Sequence, residues 1–144
     1  MTLNENILTD VAEIAELISS THTIAVLGIK PESRASQPAF YVAKYMAAAG
    51  FEIIPVPVYY PEVTEILGKR VYRKLVEIPG EVDMVNVFRR TEDIPQHTAD
   101  IIAKKPKSVW FQLGIINDEV AETLAEAGIK VVQDRCLMVE HRYL

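Results

Sequence analysis

Thr23-Ile-Ala-Val-Leu-Gly28, followed by Ile29-Lys-Pro-Glu-Ser-Arg-Ala-Ser36, is the stretch whose reading decides the fold. A short apolar run closed by glycine is the pattern of a strand buried on both faces. After it, Ser33 to Gly50 reads as a loop and a helix, with Ser36 as N-cap, Pro38 in the first turn and Gly50 just past the end. Phe51 to Val58 is a second apolar strand, and Pro55 and Pro57 bring it to a close, because proline cannot donate to a sheet ladder.

The same alternation continues to the C-terminus. Val82 to Phe88, Ser108 to Leu113 and Ile129 to Gln133 read as three more strands. Between them lie helices over Pro95 to Lys105 and over Asn117 to Ala127. The second has Asn117 as N-cap, acids in its first turn and Gly128 as its stop. Apolar strands alternating with helices predict a Rossmann-like doubly wound α/β fold, a parallel sheet of five strands covered on both faces. Right-handed crossovers and a central first strand predict the order 3-2-1-4-5. An extra N-terminal amphipathic helix carries Ile7, Leu8, Val11, Ile14, Ala15 and Ile18 at helical spacing. Tyr59 to Pro79 shows only a short edge strand near Val71 and Tyr72. No repeat or linker interrupts the chain, so residues 1–144 read as one domain.

Composition narrows the function. The 144 residues are 49% hydrophobic, enough for a packed core. A single cysteine, Cys136, excludes an internal disulfide and a cysteine-based zinc site. With no signal peptide and no long apolar run, a cytoplasmic protein without a membrane partner is expected. The net charge of −5 argues against a nucleic-acid partner bound through a basic surface. Charge is unevenly spread, however: residues 24–90 hold nine bases against seven acids, while both flanks are acidic. The positive middle suits a small anionic ligand, although chance clustering on a solvated face would give the same count.

Ligands of open parallel sheets bind outside the carboxyl ends of the strands, where the strand order reverses. That rule selects Gly28 to Ser36, Pro55 to Tyr59, Phe88 to Thr91, Gln112 to Asn117 and Asp134 to Cys136. In the first loop a glycine turn before a helix N-terminus suits a phosphate, with Ser33, Ser36, Lys30 and Arg34 as added donors. An NAD site wants an acid at the end of the second strand. That end reads Pro55-Val-Pro-Val-Tyr59 instead, an apolar ledge suited to an adenine face. Arg89 can grip a phosphate; Arg90 is expected to be solvated. His22, His97 and His141 share no ligand spacing, so no metal is expected, and His97 falls on a helix surface. Trp110 and Phe111 are expected in the core.

These stretches resemble the small stand-alone CoA-binding domain proteins and, more distantly, the N-terminal domain of the succinyl-CoA synthetase α-subunit. The resemblance rests on Ile24-Ala-Val-Leu-Gly28, Glu65-Ile-Leu-Gly68, Val85-Asn-Val-Phe-Arg-Arg90, Val109-Trp-Phe-Gln-Leu-Gly114 and Gln133-Asp-Arg-Cys136. It implies coenzyme A as cofactor, with phosphate at Gly28, Ile29 and Lys30, adenosine at Val56 and Pro57, and pantetheine at Gln112, Leu113 and Gly114. Phe88, Arg89 and Cys136 complete the candidate set. Many relatives carry Asn at the place of Pro57, so this chain lacks that polar side chain.

The leading reading is a non-catalytic coenzyme A or acyl-CoA binding module, a carrier, sensor or regulator, with a homo-oligomer or a partner enzyme compatible with it. Competing readings are a CoA-dependent enzyme or redox protein using Cys136, and a different nucleotide-binding Rossmann domain. Arg135 is a cation that makes a neighbouring thiol more reactive, but lone cysteines more often serve as small buried hydrophobes. Catalysis needs a nucleophile and a base within reach, and the selected stretches supply no evident base, so no catalytic residue is assigned.

Overall fold

The computed structural model describes residues 4–144. Five parallel strands form the sheet: β1 (Thr23–Leu27), β2 (Glu52–Val56), β5 (Met84–Val87), β6 (Ser108–Phe111) and β7 (Lys130–Val132). A two-residue hairpin, β3 (Glu65–Ile66) and β4 (Lys69–Arg70), stands apart from it. The helices are α1 (Val11–Ser19), α2 (Pro38–Ala48), α3 (Thr98–Lys104), α4 (Asp118–Glu126) and α5 (Leu137–Arg142).

Both faces of the sheet are covered, which is why its strands are apolar at consecutive positions rather than at alternate ones. Ile24 and Val26 pack with Ile14 and Ile18 of α1 and with Phe40 and Met46 of α2. Ala25 and Leu27 point the other way, into a layer with Ile101 of α3 and Leu124 of α4. Trp110 and Phe111 are fully buried, one in each layer, as expected for core residues. The N-terminal segment covers the far edge of the sheet: the Val131 N–H donates to the Asn6 carbonyl and the Leu8 N–H to that of Val131. An otherwise open strand edge is thereby closed.

The fold class is as expected, but the strand order is not. The sheet runs β2-β1-β5-β6-β7, so the third main strand lies beside the first, not outside the second. Two features account for it. Pro55 makes β2 fit for an edge, where a missing donor costs little. Met84 to Val87 are all buried, as a strand between two neighbours must be. After β2 the chain therefore returns across the sheet; Leu75, Ile78 and Val82 pack in the same layer as α3 and α4.

Local differences have local causes. Helix α1 begins at Val11, capped by Asp10, whose carboxylate accepts from the Glu13 N–H, and Ile7 instead bridges to Val131. Gln37, not Ser36, occupies the N-cap of α2. Asn117 caps α4 as expected. Tyr59 to Pro79 folds around Leu67 and Gly68, both at positive φ as a type I′ hairpin turn requires. Near the expected edge strand, the Tyr72 N–H donates to the Pro55 carbonyl. Helix α5 was not foreseen, because it buries only Leu137 and so carries no apolar periodicity.

Gly28 is the tightest point of the sheet. Its φ is +89°, and a Cβ there would lie 2.3 Å from the Phe88 carbonyl oxygen. Gly28→Ala should therefore destabilise the fold by at least about 2–3 kcal/mol, combining left-handed strain with a backbone clash. Gly68→Ala, with positive φ but open space around it, should cost only about 1 kcal/mol. Chemical denaturation of the two variants measures the difference.

Candidate functional site

Strand β1 is followed by α2 on one face and β5 by α3 on the other, so the order reverses between these neighbours and their carboxyl ends part there. In the β1 turn, the Gly28 N–H donates to the Val56 carbonyl and the Lys30 N–H to that of Ala39. Among the described residues, the Ile29 amide is left without such a partner. The Lys30 ammonium is held by Gln37 Oε1.

Arg89, at the end of β5, is only 8% exposed. Its Nε–H donates to His97 Nε2 at 3.2 Å, and its Nη2 lies 3.8 Å from the Asp93 carboxylate, beyond hydrogen-bond length. The Tyr59 ring lies over it, 5.5 Å from the guanidinium carbon. Among the described residues, the remaining guanidinium N–H groups have no hydrogen-bond acceptor. A buried cation with donors unspent can take an anionic partner, since desolvated charge demands one.

Two clefts meet at this point and share Lys30, Phe88, Arg89 and Arg90 as walls. The smaller, about 210 Å³, runs from Gly28 and Ile29 to Val58, Tyr59 and Tyr60. The larger, about 510 Å³, lies between the α2 N-terminus and Gln112 to Ile115. Gln112 is 4% exposed, and its Oε1 accepts from Asn86 Nδ2 and the Leu137 N–H. Those two donors fix the amide orientation, and among the described residues Nε2 has no hydrogen-bond partner. Next to it the Gly114 N–H donates to Asp134 at 2.7 Å, and Leu113 stands two-thirds exposed.

Of the residues singled out in the sequence, Gly28, Ile29, Lys30, Phe88, Arg89, Gln112, Leu113 and Gly114 come together around these clefts. Ser33, Arg34 and Ser36 are exposed and line neither. Val56 and Pro57 are buried, and the wall at their end is built by Val58, Tyr59 and Tyr60 instead. Cys136 is half-buried and lines a different cleft. Arg90 is exposed and paired with Asp93 and Glu92, in keeping with a solvated side chain.

Sequence reading missed three residues that shape the site. His97 is not a free surface histidine; it accepts the Arg89 hydrogen bond. Arg73 donates to the carbonyls of Tyr59, Tyr60, Pro61 and Val63, holding Tyr60 at a φ of 64°. Asn86, buried in mid-strand, orients Gln112. A polar residue inside an apolar strand was the signal available for Asn86; nothing local marked Arg73.

Fold and site together define a Rossmann-like domain with a cation-lined cleft at its switch point. The chain belongs to the CoA binding domain family, which it matches over residues 22–142. It is 38% identical over 130 residues to the uncharacterised protein YneT of Bacillus subtilis (strain 168), covering 90% of this chain and 93% of that protein. A solved structure from Thermus thermophilus, cell-free ID.343, is 36% identical with a TM-score of 0.85, over 94% of this chain and 98% of that one. The dinucleotide forming acetyl-coenzyme A synthetase 1 of Ca. Korarchaeum cryptofilum shares the fold at 18% identity and a TM-score of 0.63. That match covers 76% of this chain and 25% of the synthetase.

Burial first, and then the charge of Arg89, hold the His97 imidazole below its usual pKa, against the opposing pull of Asp100 and Asp93. Arginine only donates, so Nε2 must be the unprotonated acceptor and the ring neutral. With its folded pKa below the unfolded value, His97 binds a proton more readily in the unfolded chain. Its contribution to stability should thus be full above pH 6.5 or so and fall as the pH drops through the folded pKa. Denaturation midpoints between pH 8 and pH 5 should show that loss, and His97→Gln should reduce the slope.

Proposed function

We propose that this protein binds coenzyme A along the carboxyl edge of its sheet, as a binding module that performs no chemistry on it. The observation that carries the reading is Arg89: a cation more than nine-tenths buried, with donors uncommitted, where the two clefts join. A pyrophosphate there would meet Arg89, Lys30, the Ile29 amide and the positive end of α2. Tyr59 and Val58 would take the adenosine, and Gln112 Nε2 would donate to an amide of the pantetheine arm. The donors fit the group: cations and amides at the junction, an aromatic at one end and an amide-binding side chain at the other.

The acid that would select NAD ribose is absent from the β2 end among the described residues. Among the described residues, Glu92 is the one carboxylate lining these clefts, and it is paired with Arg90. The non-catalytic reading draws support from the commitments of the reactive groups. Lys30 is bonded to Gln37 and His97 to Arg89, while Cys136 has no hydrogen-bonded base among the described residues. An activated nucleophile needs such a base.

Coenzyme A at ~100 times its Kd should stabilise the protein by about 2.7 kcal/mol, read as a rise in Tm, whereas NAD at equal concentration should not. A larger rise with NAD overturns the assignment. Arg89→Ala should weaken coenzyme A by about 1.5–3 kcal/mol, the range for a hydrogen bond to a charged group. Arg34→Ala, exposed and outside both clefts, should change Kd by less than about threefold, under ~0.7 kcal/mol. Calorimetric titration of both variants at low salt tests the pair.

A further inference from the structure

A third cleft, about 430 Å³, opens at the end of β7, and its wall toward the coenzyme clefts is Leu113. We propose that it receives the acyl chain of an aliphatic coenzyme A thioester, so that the preferred ligand is a short-chain acyl-CoA and not the free coenzyme. The proposal rests on the coenzyme A reading of the adjoining clefts.

Position supports it first. The clefts follow the strand order, with the phosphate junction at β1 and β5, Gln112 at β6 and this opening at β7. From β5 to β7 is two strand spacings, about 10 Å. A pantetheine arm has the main-chain length of roughly four residues, about 14 Å when extended. An arm that lies along Gln112 therefore carries its sulfur past Leu113, and whatever is esterified to that sulfur enters the third cleft.

The lining then decides the chemistry. Ile7, Leu8, Leu113 and Val139 give it apolar walls. Its charged and amide side chains are already matched within the protein. Arg135 pairs with Glu140 at 3.3 Å and donates to the Thr9 carbonyl. Asp134 accepts from the Gly114 N–H, and Gln133 is bonded to the Asn117 N–H and to Asp118. Arg135 is the one cation lining it among the described residues, and it is already paired, so an unsubstituted aliphatic chain fits better than a dicarboxylic acyl group. The volume has room for on the order of a dozen water-sized groups at ~30 Å³ each, more than a six-carbon chain needs. Leu113, two-thirds exposed and shared by both clefts, gives the chain an apolar lip to cross.

Titration calorimetry of the full chain, under reducing conditions, tests this with free coenzyme A and its acetyl, butyryl, hexanoyl and succinyl thioesters. Affinity should rise from acetyl to hexanoyl by about threefold to fourfold per methylene buried, and succinyl should bind no more tightly than free coenzyme A. Val139→Phe, which fills the cleft, should abolish the hexanoyl advantage while leaving free coenzyme A within threefold. If free coenzyme A binds and hexanoyl-CoA binds no better, the acyl proposal fails and the coenzyme A reading stands. If neither binds, both fail. A hexanoyl advantage that survives Val139→Phe in a folded variant also overturns the placement. Should that variant not fold, the wild-type series decides alone.

Discussion

The approach of β1 to β5 at Gly28 is the constraint on which the rest depends. A hydrogen atom is all that fits between the Gly28 Cα and the Phe88 carbonyl, and the positive φ lets the chain turn away into α2 without lifting off the sheet. The Phe88 N–H donates to the Leu27 carbonyl just below, so the two strands stay paired up to the last residue before they part. Lys30 and Arg89 are then delivered to opposite sides of one opening. A bulkier residue at 28 would separate the strand ends and, with them, the two cations.

What the fold does with Arg89 explains the character of the site. Burial of a guanidinium is unfavourable unless its donors are met. Here it is met only in part, by a neutral imidazole and by a carboxylate beyond hydrogen-bond length. A closer acid would satisfy it and close the site to anions; an exposed position would let water do the same. Tyr59 over its face, itself on a loop pinned by four carbonyl contacts from Arg73, lends further stabilisation without consuming an N–H.

A second, neutral network serves the other end. Asn86 sits within β5 on the same sheet face as Met84, and its amide reaches across β6 to fix Gln112. Leu137, at the start of α5, donates to the same oxygen, so the short C-terminal helix is tied to the cleft through its first N–H. The β6 and β7 loops are joined by Asp134 to Gly114 and by Gln133 to Asn117. These bonds tie the β5, β6 and β7 ends and the start of α5 into one connected rim.

The sequence by itself determined the fold class and the five strands, because each is a run of apolar residues of the right length bounded by glycine, proline or a helix cap. It also determined that the loops carrying Lys30, Arg89 and Gln112 lie on the carboxyl edge of the sheet, since that follows from the fold class alone. It did not determine that Arg89 lies next to Gly28, which the strand order decided. Strand order was legible in part: Pro55 marked β2 as an edge, but that mark competed with a central first strand as the organising assumption. Only the tertiary structure decided how Arg89 is held, that Val58 to Tyr60 and not Val56 and Pro57 form the wall, and that Ser33, Arg34 and Ser36 line neither cleft. His97 and Arg73 belong to that second group for a physical reason. Their roles consist of contacts to residues 8 to 14 positions distant, through loops with no periodicity, and such contacts exist only once the sheet has fixed where each loop ends.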